Sequence, residues 1–143
     1  MALVPGDPLA HRALDSLLQA EASVRRRLSA DLEREGLSAS GFSVLVVLTV
    51  AGGALELRAL RARLHTSKAN ATEVVSTLEA RGLVVRTRLA HDRRAAIVAL
   101  TELGHEMVDR LFPEHTERVS DAFAVLDEAE KRSLAEICRK LAA

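Results

Sequence analysis

Apolar residues recur every three or four positions over long stretches of the chain, which is the spacing of helices that each bury one face. The first stretch covers about residues 9–32. Ser38 or Ser40 can cap a second helix, which Gly52 and Gly53 end. A short extended piece then leads to a third helix. The first part of the chain is therefore predicted to be mainly helical.

The segment 67–101 adds one more helix and then changes pattern. Ser67 can cap this fourth helix, and Gly82 stands where a C-terminal glycine ends a helix. Alternating residues over 84–89 and 95–100 predict the two strands of a hairpin. Because no glycine lies between these strands, we expect a loop of more than two residues.

Two helices are predicted after the hairpin. The first begins at Thr101, and we expect Pro113 to kink or interrupt it. Asp127 and Glu130 form a D-x-x-E capping arrangement for the second. That last helix would turn four residues inward: Leu134, Ile137, Cys138 and Leu141. The order of elements predicts a mainly α, α+β fold, a winged helix-turn-helix with a three-stranded wing sheet and additional helices at both ends.

The charge distribution favours a nucleic-acid partner for the middle of the chain. The whole chain has 20 basic and 20 acidic side chains. Residues 55–104 hold 9 basic and 5 acidic side chains, a net +4, whereas residues 1–54 (5 and 6) are −1 and residues 105–143 (6 and 9) are −3. A local cationic face is enough to neutralise phosphates. The fourth helix can enter a major groove, and a hairpin with arginines at its tip can reach the adjacent minor groove.

The outer segments, residues 1–36 and 102–143, predict a homodimer. Their helices are amphipathic, and the compact unit of residues 37–101 is too small to cover their apolar faces. The same helices of a second copy can cover them through a two-fold interface. Such a dimer places two fourth helices about one DNA turn apart. We therefore predict a single compact chain in which dimerisation helices flank a DNA-binding domain.

Composition argues against several other classes of protein. Aromatic residues make up 2% of the chain, with no Trp and no Tyr, so base stacking on single strands has no support. We expect no membrane span, because the apolar runs are short, and no export signal at the N-terminus. The single cysteine cannot form an internal disulfide and suits a reducing compartment. We predict a cytoplasmic protein.

The residues predict no catalytic, metal or cofactor site. We find no Ser/His/Asp elbow, phosphate loop or acidic metal cluster. The five histidines lack the spacing of metal ligands: His11, His65, His91, His105 and His115. Cys138 lies near a helix C-terminus on an apolar stripe, which favours a small buried residue at the dimer interface over a redox sensor.

Two motifs of the chain resemble those of the MarR family of bacterial and archaeal transcription regulators. One is L-E-x-x-G-L-V over residues 78–84, and the other is D-x-R over 92–94 followed by L-T at 100–101. The resemblance in the order of elements extends over the whole chain. It implies a homodimeric repressor, less often an activator, that responds to a ligand or an oxidant.

The resemblance also implies roles for individual residues. Four fall on the groove-facing start of the recognition helix: Ser67, Lys68, Asn70 and Thr72. Among them Asn70 is the best candidate for reading a base, because its amide can bond to two atoms of adenine. Arg94 corresponds to the wing arginine of the minor groove, and Asp92 to the acid that orients it. The wing offers further DNA contacts at Arg86, Arg88 and Arg93, unless these form only a solvated basic hairpin.

We therefore predict a sequence-specific regulator that binds double-stranded DNA, a ligand-responsive repressor acting as a homodimer on a pseudo-palindromic operator. The alternative is a winged-helix module for protein–protein interaction without operator binding. Glu73 and Thr77 leave room for it, because family members often carry Arg at these places. The usual effector pocket would draw on the fifth helix and on His11, Leu14, Phe42 and Leu45. Its lining suits a small apolar or phenolic effector, or none.

Overall fold

A computed structural model describes residues 6–64 and 67–143 of the chain, and for Arg93 the backbone alone. The N-terminal residues 1–5 and His65, considered above for an export signal and a metal site, lie outside this description. Within the described residues, six helices and three strands follow one another: α1 Pro8–Arg34, α2 Ala39–Val50, β1 Ala54–Glu56, α3 Leu57–Arg63, α4 Lys68–Ala80, β2 Val84–Leu89, β3 Asp92–Leu100, α5 Glu102–Ala122 and α6 Glu128–Ala142. The predicted winged helix-turn-helix fold is confirmed.

Several helices begin or end at the residues predicted to cap them. The hydroxyl of Ser38 accepts the Gly41 N–H at the start of α2, and the carboxylate of Asp127 accepts the Glu130 N–H in a capping box at the start of α6. Beyond α4, Gly82 adopts φ 75°, a left-handed conformation that costs glycine little. These boundaries depend on contacts within a few residues, and that is why the sequence could predict them.

Pro113 lies inside α5, so the expectation of an interrupted helix was wrong, whereas a kink at Pro113 stays a prediction. Proline removes one backbone hydrogen bond from a helix interior. On either side of it α5 is held by packing, since Met107, Val108, Leu111 and Ala122 are buried. This burial offsets the lost hydrogen bond, and α5 continues to Ala122.

The three strands form an antiparallel sheet with β3 in the centre and β1 and β2 at its edges. The regular register of the hairpin ends where Arg88 pairs with Ala96, and a shift follows before Leu89 pairs with Asp92. Only Ala90 and His91 lie between the strands, so the prediction of a longer loop was wrong. The register shift leaves residues 93–95 of β3 without paired residues in β2, so the extra length lies within β3 and not in the loop.

The hydrophobic core lies between α2, α3, α4 and the sheet. Its centre is fully buried and aliphatic: Val44, Leu45, Leu48, Leu60, Val75 and Val98. By contrast, every residue of α6 is exposed in the single chain. The prediction that Leu134, Ile137, Cys138 and Leu141 turn inward was therefore wrong within one chain, because no other element packs over that face of α6.

The start of α5 is joined to the turn that follows α4. The hydroxyl of Thr101 donates to the Gly82 carbonyl at 2.6 Å and accepts the Gly104 N–H at 3.1 Å. The backbone N–H of Thr101 donates to the Leu83 carbonyl at 3.1 Å. A Cβ added to Gly104 would overlap that carbonyl oxygen. The L-T pair at 100–101 therefore joins the base of the wing, the end of α4 and the start of α5.

Candidate nucleic-acid interface

The helix α4 is anchored along one face and open along the other. Ala71, Val75 and Leu78 are at most 2% exposed and pack into the core. The exposed face carries polar side chains: Lys68, Glu73, Ser76 and Thr77. Such a helix can place its outer side chains in a groove of DNA without exposing the core.

The N-terminus of α4 combines a cap with a cationic side chain. The Ser67 hydroxyl accepts the Asn70 N–H at 3.2 Å, and the exposed Lys68 is the first residue of the helix. A helix N-terminus carries a partial positive charge and suits a phosphate. Asn70 is half-buried and lines a groove that α4 forms with the turn between α1 and α2.

Thr72 is held against α3. Its hydroxyl accepts from the Arg61 guanidinium at 2.7 Å and donates to the Lys68 carbonyl at 3.0 Å. This geometry favours a role for Thr72 in fixing α3 to α4. Arg61 was not predicted as part of this interface, because its partner lies 11 residues away in another helix and leaves no local signal in the sequence.

Arg86 joins the wing to α4. Its guanidinium lies 3.4 Å from the Glu79 carboxylate and 3.1 Å from the Ser76 hydroxyl, and Glu79 also accepts the Arg86 backbone N–H at 2.8 Å. Side chains alternate along a strand, so Arg86 shares the face of the buried Val84. These contacts favour a structural role for Arg86 beside the DNA contact predicted for it, and the part of Glu79 in holding Arg86 was not predicted.

The tip of the wing is shaped by Asp92. Its carboxylate accepts the backbone N–H of Arg94 at 2.9 Å, a local turn that short acidic side chains favour. This contact constrains the backbone at Arg94 and does not involve the Arg94 side chain. The side chains of Arg88 and Arg94 are exposed. The wing therefore presents a cationic end, and the side chain of Arg93 lies outside the described part of the structure.

A second feature is a cleft of about 400 Å³ between α1, α2 and α5. Val24 and Leu28 of α1 line it with Phe42 and His115, whose ring centroids are 4.7 Å apart. Phe42 was predicted here. His11 and Leu14 do not line the cleft because they lie near the exposed start of α1, and Leu45 is fully buried in the core. His115 was missed, because its approach to Phe42 depends on how α5 packs on α2.

Burial lowers the pKa of His115 below its ordinary value of 6.5 by favouring the uncharged ring. Between the lowered pKa and 6.5, the unfolded chain binds a proton that the folded chain does not, so stability falls as the pH falls through this window. We expect the unfolding temperature to drop less between about pH 8 and about pH 5 in His115→Gln than in the wild type. An equal fall of the unfolding temperature in both proteins would show that His115 does not contribute to the pH dependence of stability.

The described residues contain no group of three or more His, Cys, Asp or Glu side chains placed to hold a metal ion. None of the helices in the described ranges combines the length and apolar character needed to cross a membrane.

The chain is similar to known transcriptional regulators along most of its length. Residues 35–95 match the model of a family described as the MarR family. Over 118 residues the chain is 30% identical to the uncharacterized HTH-type transcriptional regulator YkoM of Bacillus subtilis (strain 168), covering 82% of this chain and 76% of YkoM. It is 31% identical over 111 residues to the transcriptional repressor MprA of Escherichia coli (strain K12), covering 77% of this chain and 63% of MprA. Sco3205, a MarR family transcriptional regulator from Streptomyces coelicolor solved in complex with DNA, superposes with a TM-score of 0.87 at 25% identity, covering 99% of this chain and 90% of that chain.

Proposed function

The chain belongs to the MarR family, and we propose that it is a homodimeric repressor that binds a pseudo-palindromic operator in double-stranded DNA and responds to a small ligand. The observation that carries this proposal is the pairing of α4, anchored along its apolar face, with a wing whose tip exposes Arg88 and Arg94. MprA is a repressor, and Sco3205 was solved with DNA, which supports the same activity here. We also propose that the protein has no catalytic activity and works in the cytoplasm.

The proposed DNA contacts divide between the two parts of the interface. Ser67 and Lys68 at the N-terminus of α4 would anchor a phosphate, and Asn70 would read a base in the major groove. Arg94 would enter the minor groove, whose negative potential is strongest where the groove is narrow. Arg88 and Arg93 would add phosphate contacts along the wing.

The proposed homodimer accounts for apolar surface that the single chain leaves exposed. Six large aliphatic side chains of α1 and α6 are 38–69% exposed: Leu9, Leu14, Leu18, Leu134, Ile137 and Leu141. Exposed apolar faces of this extent on two helices mark an interaction surface. In this proposal residues 1–36 and 102–143 form the dimer interface, residues 37–101 bind DNA, and Cys138 is covered by the partner.

The cleft between α1, α2 and α5 is the proposed effector site. It joins a dimerisation helix to the DNA-binding domain, so a ligand that favours one arrangement of the two would shift DNA affinity. Phe42, Val24 and Leu28 give it an apolar and aromatic lining. A small apolar or phenolic compound fits this chemistry.

Asn70→Ala is expected to relax the preference for one base pair in each half-site. A two-point contact of an amide with adenine contributes about 1–3 kcal/mol of discrimination, and alanine removes it. The measurement is selection of bound duplexes from a randomised library by the wild type and by the variant. The other positions of the motif serve as the internal control. An unchanged motif would show that Asn70 does not read a base.

Selection from a randomised duplex library also tests the proposed function. The expected result is enrichment of a two-fold symmetric motif whose half-sites lie about one helical turn apart. Sedimentation of the protein with the enriched sequence, called here the selected duplex, should give two chains per duplex. No enriched motif, together with monomeric protein, would favour a winged-helix module that binds other proteins.

A further inference from the structure

Two arginines hold the turn between α1 and α2, one at the end of α4 and one in α5. Arg81, the residue that follows α4, donates from Nη1 to the Gly36 carbonyl at 2.8 Å and from Nη2 to the Glu35 carbonyl at 2.8 Å. Arg110 of α5 donates to the Glu35 carboxylate at 3.0 Å. The end of α4 and the middle of α5 therefore meet at the same turn, at which α1 ends.

The two contacts of Arg81 suit the chemistry of a helix end. The last carbonyls of a helix have no partner within it and carry a partial negative charge. Gly36 adopts φ 70°, and this turn presents two successive carbonyls to one guanidinium. A guanidinium donates through a fixed planar fork, whereas an ammonium is a single point charge. The geometry is therefore specific for arginine.

We propose that Arg81 is a positioning residue for operator binding. It fixes the C-terminal end of the recognition helix α4 to the C-terminal end of the dimerisation helix α1, and so passes the orientation of the dimer to the helix that reads DNA. Its contacts reach residues 45 and 46 positions earlier in the chain, and its guanidinium is occupied by the protein rather than by phosphate. This inference rests on the proposed function.

The test compares Arg81→Met and Arg81→Lys in titrations of the selected duplex over a range of salt concentrations. Coupling between two sites of a protein typically changes the affinity of one site for its ligand about fivefold or more. We expect both variants to bind the selected duplex at least that much more weakly than the wild type. The slope of log affinity against log salt should stay unchanged, because Arg81 neutralises no phosphate. Affinity for a scrambled duplex should change less.

Arg34→Met is the matched control. Arg34 lies in the last turn of α1, and its side chain is 81% exposed beside Asp31. This variant loses the same charge nearby and should bind like the wild type. Circular dichroism and sedimentation check that each variant is folded and dimeric. If Arg81→Met does not fold, the affinity of Arg81→Lys alone tests whether Arg81 positions α4.

The proposal would be overturned in three ways by the variants. Wild-type affinity in Arg81→Lys with weaker binding by Arg81→Met would mean that only the charge matters. A lower salt slope in Arg81→Met would mean a phosphate contact. Wild-type affinity in both Arg81→Lys and Arg81→Met would mean that the contacts do not position α4. If the wild type enriches no duplex at all, the proposed function fails and this inference fails with it.

Discussion

Gly104→Ala is expected to destabilise the fold by about 2 kcal/mol, because overpacking costs about 3 kcal/mol and the helix propensity of alanine returns about 1 kcal/mol. The added Cβ overlaps the Leu83 carbonyl oxygen, which cannot move away freely because it also accepts the Thr101 N–H. The new methyl group would also press on the Leu100 side chain. Helix propensity alone would make the fold with alanine at position 104 more stable by about 1 kcal/mol than the fold with glycine. The two effects have opposite signs, so a measured loss identifies the close approach as its cause.

Thermal and urea unfolding of Gly104→Ala and the wild type measure this effect. For a chain of this size we expect the midpoint temperature to fall by roughly 7 °C. Gly6→Ala is the matched control, because a Cβ there meets nothing within 4 Å. Equal stability of Gly104→Ala and the wild type would contradict the close packing of α5 against the turn at Leu83.

Arg94→Ala is expected to weaken binding to the selected duplex at least about tenfold, because charge-assisted hydrogen bonds each contribute about 1.5–3 kcal/mol and each dimer has two wings. Asp92 fixes the backbone at the wing tip, so the exposed Arg94 side chain extends from a defined turn. Minor-groove contact is mainly electrostatic. Affinity for other sequences should therefore fall as well.

The salt dependence separates this loss from misfolding. An arginine in the minor groove lies between two rows of phosphates and displaces counterions as a phosphate contact does. Each such arginine adds about one to the slope of log affinity against log salt, so Arg94→Ala should lower the slope of the dimer by about two. Arg94→Lys should retain most of the slope, and Arg34→Ala should leave both slope and affinity unchanged. An unchanged slope in Arg94→Ala would rule out the assignment of the wing arginine.

Local chemistry made much of the fold predictable. Ser38, Ser67 and Asp127 cap helices because each side chain lies three residues from the N–H that it accepts. The same holds for Asp92, whose carboxylate reaches the N–H two residues on. Such contacts are visible in a sequence since both partners are close along the chain.

Contacts between distant elements were not predictable in this way. The sequence shows Arg86 as one more arginine of a basic hairpin. The face on which it lies and the approach of Glu79 favour a structural role, and neither could be read from the sequence. Thr72 is a similar case, because its partner belongs to another helix. The cleft residue His115 depends on the packing of α5 against α2.

The exposed state of α6 has a different cause. The amphipathic pattern of this helix was correct, since it has one apolar face. The pattern predicts that this apolar face packs against another protein surface, but it does not show whether that surface belongs to the same chain. Leu141 is 69% exposed in the single chain, and we propose that a second copy covers it.

Sequence-specific binding of double-stranded DNA is tested most directly by fluorescence anisotropy of the wild-type protein with the selected duplex and with a scrambled duplex of equal length. Titrations at about 50 mM and about 200 mM salt separate specific from electrostatic binding. We expect the selected duplex to bind at least about a thousandfold more tightly at the higher salt, and both affinities to fall as salt rises. Equal affinity for the two duplexes, or no binding at the lower salt, would contradict a DNA-binding regulator.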